Sequence, residues 1–280
     1  MGHPSISDDD AAAFDRDGFV VKRGFFSRDE IALVQAALRR DPAIQARAYG
    51  LADGEGGTTT IAVWNHPGDD TLGLVPRLQR MVAGMAQLLG GEVYHYHSKV
   101  TSKAAGGGGT WAWHQDYGYW YKNGCLFPDM GSVAIAVSAQ TPENGALRLL
   151  RGSHRCGRIE HYIYGGQTGA DRARVGELQA RLDTVVFDAE PGDALFFHSN
   201  TLHSSSPNES DGTREMLLCC YNRSSNDPYL AHHHPGYIPL ERVDDEALTR
   251  VGLRMSGDGR VFLDPSDDIS IGEFTTAPSP

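Results

Sequence analysis

A chain of 280 residues with 25 Lys+Arg against 36 Asp+Glu carries a formal charge of −11, a balance that disfavours nucleic acid as a partner. No apolar run approaches the roughly 18 residues of a membrane span, the opening Met1-Gly2-His3-Pro4 has no signal-peptide core, and 4 cysteines are too few for a disulfide framework in a chain this long. The composition suits a soluble, reduced, cytoplasmic protein, and the length suits one large domain or two small ones.

Ser7 is a plausible N-cap for a short helix to Asp17, with acids in its first turn and Gly18 as its stop. Phe19 to Arg23 reads as a strand. Ser27 and Glu30 form a capping box that opens a helix to about Arg40. Residues 41–60 are rich in Gly and Thr and read as a loop, and Thr71 to Leu89 as a second helix ended by Gly90-Gly91. From residue 92 the pattern turns to strands: Val93 to Lys103, the stretch around His114, Ser132 to Val137, Ala146 to Leu150, Thr184 to Phe187, Ala194 to Phe197 and Met216 to Tyr221. Residues 155–182 read as a polar insert with one helix near 171–182 and no clear strand. Cys219-Cys220, inside an apolar strand, read as buried free thiols. His232-His233-His234 before Pro235 reads as an exposed loop, and residues 266–280 as a flexible tail. Helices followed by seven or more strands predict a mainly β fold, a barrel or sandwich with helices packed outside. The boundaries are one domain over 1–265, with a helical part at about 7–90, a β core at about 92–225 and the insert at about 155–182.

The chain is organised around His114-Gln115-Asp116. On a strand, residues two apart share a face, so one imidazole and one carboxylate make two corners of a metal site. His203, at the end of another strand, fits the third. Two histidines and one carboxylate on one triangular face are the ligand set of non-haem Fe(II) oxygenases. Arg214, eleven residues past His203, offers a bidentate fork for a carboxylate.

The ordered set His114-Gln115-Asp116, Glu143-Asn144-Gly145, Gly152-Ser153-His154, Pro191-Gly192-Asp193, His203 and Arg214 resembles the phytanoyl-CoA dioxygenase family, as do Phe14 to Val21 and Gly24 to Ser27. The resemblance spans roughly residues 10–245, and the region from His97 to Trp120 is similar to the ectoine hydroxylase branch. It implies a double-stranded β-helix, a jelly-roll barrel, and Fe(II), 2-oxoglutarate and O2 as cofactor and cosubstrates. It also implies His114, Asp116 and His203 as catalytic iron ligands. Lys103, Lys99, Ser205 and Arg214 become the residues that bind 2-oxoglutarate. Counting back by twos from Lys103 places Lys99, His97 and His95 on one strand face. The family's pattern departs here at Ala134, where phytanoyl-CoA enzymes carry tryptophan, and at His97, where the ectoine enzyme carries glutamine.

The reaction so implied is hydroxylation of a C–H bond of a small-molecule substrate, with release of succinate and CO2. Retention of Asp116 argues against halogenation, because halogenating relatives lack that carboxylate. Candidate substrate residues are His97, Tyr117, Trp120 and Arg158, the last with Glu160 and His161 on an insert placed to close over the site. The absence of a basic patch disfavours a CoA ester. The rival reading is a cupin-type metal-binding jelly roll that does not use 2-oxoglutarate, and such a protein needs neither Lys103 nor Arg214.

Overall fold

Two capping boxes start the N-terminal layer. In the computed structural model, which describes residues 3–255, 260–268 and 274–276, Ser7 and Asp10 bond each other's backbone N–H at the start of α1 (Asp8–Asp17). Gly18, at φ 83°, ends that helix in the left-handed conformation and turns the chain into β1 (Phe19–Lys22). Ser27 and Glu30 repeat the box at α2 (Arg28–Arg40), as the sequence predicts. Glu30 has a second partner: its Oε1 lies 2.6 Å from the Arg80 guanidinium, both residues are buried, and Arg80 stacks over the Phe26 ring. Arg80→Met leaves that carboxylate buried and unpaired. A loss of about 3–5 kcal/mol is expected in denaturant unfolding, and adding Glu30→Gln should recover part of it.

The expected loop at 41–60 instead holds α3 (Pro42–Arg47), β2 (Tyr49–Ala52) and the start of β3 (Thr58–His66). Asp41 caps α3 through the Ala43 N–H, and Pro42 sits in the first turn, where its missing N–H is no loss. The run Thr58-Thr59-Thr60 is β-branched and suits a pleated strand. The expected helix at 71–89 is two, α4 (Thr71–Leu74) and α5 (Gln79–Leu89), with a 3-10 turn over Val75–Arg77 between them. Pro76 accounts for the break, since its ring cannot be accommodated in a helix interior.

The remaining elements are β4 (Val93–Lys103), β5 (Trp111–His114), α6 (Asp116–Trp120), β6 (Met130–Ala136), β7 (Leu147–Leu150), β8 (His161–Tyr164), β9 (Gln167–Ala170), α7 (Arg172–Gln179), β10 (Thr184–Val186), β11 (Ala194–His198), β12 (His203–Ser205), β13 (Arg214–Arg223), α8 (Ala247–Val251) and β14 (Val261–Phe262). They form a larger sheet in the order β1-β11-β6-β13-β4-β3-β14, with β2 paired to β3, and a smaller sheet β10-β7-β12-β5. Ala134, Leu149, Phe197 and Met216 fill the space between the sheets. The outer face of the larger sheet, through Phe196 and Leu217, packs under the N-terminal helices at Val34, Leu78 and Met81. This is the double-stranded β-helix that the sequence predicts. Cys219 and Cys220 are buried and free, as read.

Three further expectations change. The insert carries a hairpin, β8 and β9, turned by Gly165-Gly166 at φ 58° and 92°; φ > 0 at both central residues is what a type I′ turn requires, and glycine adopts it without steric cost. On β4 the pairing with β13 slips by one residue, with Cys220 opposite His97 but Tyr221 opposite His95. The bulge at Tyr96 turns His95 to the other face, where it bonds the Asn65 carbonyl and Ser98 Oγ. Where a flexible tail is expected, Phe274 packs 5.5 Å from Tyr119 and Thr276 pairs with Ile163; the rest of that tail beyond Asp268 lies outside the described residues.

Candidate metal centre and active site

His114 and His203 face each other across the β5–β12 pair, with ring centroids 4.0 Å apart. Asp116 reaches them differently from the strand reading. β5 ends at His114, Gln115 stays extended as an N-cap, and Asp116 opens α6. The helical turn, rather than strand alternation, brings Asp116 Oδ1 to 3.9 Å from His114 Nε2 and 3.8 Å from His203 Nε2. The three ligand atoms lie within 4.8 Å of one another, and all three residues are buried.

Both rings are set for a metal. His114 Nδ1–H donates to the Ala112 carbonyl at 2.8 Å, and His203 Nδ1–H to the Thr201 carbonyl at 3.0 Å. These bonds fix the tautomer and leave each Nε2 lone pair toward the shared centre. Burial pulls both imidazoles below their ordinary pKa, so the neutral, ligating form prevails at neutral pH. Ser132 Oγ donates to Asp116 Oδ2 at 2.9 Å, leaving Oδ1 to the metal. The donor set and its hydrogen bonds therefore fit a divalent ion with open positions.

Gln115, between the ligands, ties three segments together. Its Nε2 donates to the Gly157 and Asn200 carbonyls and its Oε1 accepts from the Ile159 N–H. Its own N–H donates to His161 Nε2 at 3.0 Å. Gly118, on α6, has no room for a side chain, since a Cβ there would stand 2.2 Å from the His161 ring. Gly118→Ala is expected to displace α6 and with it Asp116, giving a lower melting temperature and weaker metal binding in one variant.

Deeper in the barrel, Lys103 and Arg214 are cross-strand neighbours, and both are buried. Lys103 Nζ donates to Ser205 Oγ at 2.7 Å and to the Ser206 carbonyl at 2.6 Å. Arg214 Nε donates to Gln140 Oε1 at 2.7 Å. Among the described residues no carboxylate lies within ion-pair distance of either cation. Burial lowers Lys103 to about 7 and Arg214 to about 10. Gly145, at φ 76° in the Glu143-Asn144-Gly145 turn, lets that turn approach; a Cβ there would meet the Ser206 carbonyl and Lys103 Nζ. Lys99 stands nearer the metal centre, its Nζ 4.0 Å from Asp116 Oδ1.

A cavity of about 220 Å³ opens onto His114 and Asp116. Of the four candidate substrate residues, His97 and Trp120 line it, while Tyr117 and Arg158 do not. Tyr117 is buried beneath, its hydroxyl on the Cys125 carbonyl. Arg158 pairs with Glu160 and stacks on Tyr121 at 4.4 Å. The insert contributes to the cavity through Gly166, Gln167 and Thr168 instead. Gln167 also bonds the exposed edge of β5, accepting from the Ala112 N–H and donating to the Thr110 carbonyl. The expected exposed loop at His232-His233-His234 is corrected: His234 is buried, the His233 side chain is 2% exposed, and both line the cavity. Ser132 and Gln140 stand at the site without any place in the sequence reading, and Gln115 appears there only as part of the motif, without the bonds that tie the three segments together.

The comparisons agree with this geometry. The sequence profile of the family described as phytanoyl-CoA dioxygenase (PhyH) matches residues 14–216. An L-proline trans-4-hydroxylase of Streptomyces griseoviridis is 35% identical over 65% of this chain and 76% of its own. An ectoine dioxygenase of Stutzerimonas stutzeri is 29% identical over 76% of each chain. The crystal structure of EctD from S. alaskensis with bound Fe superposes with a TM-score of 0.73 at 25% identity, covering 85% of this chain and 88% of that one. The EctD complex with 2-oxoglutarate and 5-hydroxyectoine gives 0.69, again at 25% identity, over 87% and 90%. With its ligand triad, its barrel and this profile match, the chain belongs to the phytanoyl-CoA dioxygenase family of 2-oxoglutarate-dependent non-haem iron dioxygenases.

Proposed function

We propose that this chain hydroxylates a C–H bond of a small polar metabolite, consuming 2-oxoglutarate and O2 and releasing succinate and CO2. One observation carries the reading: the open-faced His114-Asp116-His203 set shares a barrel with Lys103 and Arg214, two buried basic side chains with no carboxylate within ion-pair distance among the described residues. Buried charges need counter-charges, and a dicarboxylate cosubstrate supplies one.

His114, Asp116 and His203 would hold Fe(II), with Ser132 keeping Asp116 in orientation. Arg214, fixed by Gln140, and Lys103 with Ser205 would grip the far carboxylate of 2-oxoglutarate. Lys99, beside Asp116, is assigned to the cosubstrate's other end. Bound iron, with 2-oxoglutarate and O2, supplies the oxidising power for attack on an unactivated carbon. The protein's part is to hold the target carbon at the cavity floor beside His114 and Asp116 and to keep bulk water away. Ile61, Val63, Trp111 and Leu263 give the cavity apolar walls, with Trp120 and His97 among its other sides. The names of the proline and ectoine relatives support a small polar substrate.

Anaerobic addition of Fe(II) and 2-oxoglutarate tests the cofactor part of this reading. A weak visible charge-transfer band is expected, followed on aeration by succinate. Folded, iron-loaded protein that shows no band, and no thermal stabilisation by 2-oxoglutarate, would return the chain to the metal-binding jelly-roll reading.

A further inference from the structure

Two buried imidazoles stand on the cavity wall, and one of them keeps a ring nitrogen that no group among the described residues bonds. His97 comes from β4 and His234 from the segment after β13. Their rings stack at 4.5 Å with an interplanar angle of 20°, and they are only 4% and 8% exposed. Both line the cavity beside the metal centre. That nitrogen is His97 Nδ1, buried and with no partner among the described residues. A native interior rarely leaves such a group unpaired without a reason.

The tautomer of His234 follows from its neighbour. Asn65 Nδ2 donates to the His233 carbonyl at 2.6 Å, so Asn65 Oδ1 is the atom that faces His234 Nδ1, at 2.7 Å. His234 Nδ1 therefore carries the hydrogen, and Nε2 is left as a lone-pair acceptor. The Trp120 ring stands edge-to-face with His97 at 5.8 Å. The same cavity takes in the Asp268 carboxylate, which lies 3.4 Å from His233 Nε2. A fixed lone pair, an indole and a carboxylate around one space select a group rich in donors and positive in charge.

We propose that His97, His234 and Asp268 form the subsite that recognises a protonated amine on the substrate. The hydroxylase reading given above is assumed here, since it is what makes this cavity the substrate's. Trp120 would flank the ammonium. Asn65 acts as a positioning residue: it fixes the ring of His234 and, through its backbone carbonyl, holds His95 as well. The subsite is one short helix away from Asp116, because α6 carries Trp120 at its far end. The reacting carbon would then lie between the amine and the metal.

The test uses protein loaded anaerobically with Mn(II) and 2-oxoglutarate, and titrates three probes by calorimetry: pyrrolidine, L-proline and tetrahydrofuran-2-carboxylate. Pyrrolidine carries the amine alone, L-proline adds a carboxylate, and the third probe keeps the ring and carboxylate but replaces the amine by an ether. The expected result is binding of both amines, with the ether acid weaker than L-proline by about tenfold or more, the loss that follows from one missing hydrogen bond to a charged group. His234→Leu and Asp268→Asn should each weaken pyrrolidine by a similar factor, while 2-oxoglutarate binding stays as in the parent. Equal binding of L-proline and its ether isostere would overturn the assignment. So would no binding of either amine at millimolar concentration, or unchanged pyrrolidine affinity in both variants. If 2-oxoglutarate itself fails to bind the parent protein, it is the hydroxylase reading that falls, and the two failures are told apart by that control.

Discussion

Asp116→Ala protein is expected to fold and yet lose both its metal and its turnover. The side chain accepts from Ser132 and approaches two imidazoles, but it contributes nothing to the apolar core between the sheets. Removing it takes the only anionic ligand from a three-residue set. Loss of a group that merely orients a ligand typically costs about 10–100-fold in metal affinity; loss of the ligand itself should exceed about 100-fold on the same scale. Ser132→Ala provides the graded comparison, because it leaves Asp116 in place but frees Oδ2, and it should fall within that 10–100-fold range. The measurement is Fe(II) or Mn(II) affinity under anaerobic conditions, with melting temperature recorded with and without metal. Metal should raise the melting temperature of the parent, raise that of Ser132→Ala less, and leave Asp116→Ala unmoved. An Asp116→Ala variant that binds metal as the parent does would place the centre elsewhere.

That His114, Asp116 and His203 converge was legible in the sequence, but the way they meet was not. Strand alternation puts His114 and Asp116 on one face, and the structure brings the two together by a different geometry. The chain leaves the strand at Gln115, whose side chain is tied to Gly157, Ile159 and Asn200. None of those contacts has a local signature. Arg214 and Lys103 could be paired from the resemblance, and the register of β4 against β13 sets them side by side. Gln140, which orients Arg214, lies 74 residues away from it and gives no signal of its own. The hairpin in the insert does have one: Gly165-Gly166 between Tyr162-Ile163-Tyr164 and Gln167-Thr168 is a two-residue turn signal beside a β-favouring flank, set within an otherwise polar insert. The run His232-His233-His234 reads as solvated because three polar residues precede a proline. Its burial comes from Asn65 on β3 and from the stack on His97, contacts across more than 130 residues. Tyr117 and Arg158 failed to reach the cavity for the matching reason: on α6 neighbouring aromatics diverge by the helical turn, and Arg158 is held outward by Glu160 and the Tyr121 ring.

Binding of 2-oxoglutarate is expected to take up a proton above pH 7, and Lys103 is the group that takes it. Burial and the neighbouring Arg214 charge lower the Lys103 ammonium to about 7 in the empty barrel, against about 10.4 for a free lysine. A carboxylate brought beside it favours the charged form and lifts it back toward that value. Well below pH 7 Lys103 is charged with or without the ligand, so no proton moves. Between pH 7 and about 10 it is neutral when empty and charged when occupied, so uptake should approach about one proton per site near pH 8.5. The same sign governs stability. A lysine whose folded pKa is depressed opposes folding while it is charged, so the empty protein should gain stability as the pH rises from 7, other groups being equal. Titration calorimetry in buffers of different ionisation enthalpy measures the uptake directly, and Lys103→Met should abolish it. Arg214 holds its charge throughout this range, so Arg214→Ala acts on affinity instead. Truncating one partner of a buried, hydrogen-bonded charge pair costs about 2–5 kcal/mol, and the variant should therefore bind 2-oxoglutarate about 30-fold to several-thousand-fold more weakly. Arg214→Lys should recover only part of that affinity, because an ammonium lacks the planar fork that engages Gln140 and a carboxylate together. Buffer-independent calorimetry at pH 8.5, or an Arg214→Ala protein with parental affinity, would mean that the cosubstrate sits away from this pair of cations.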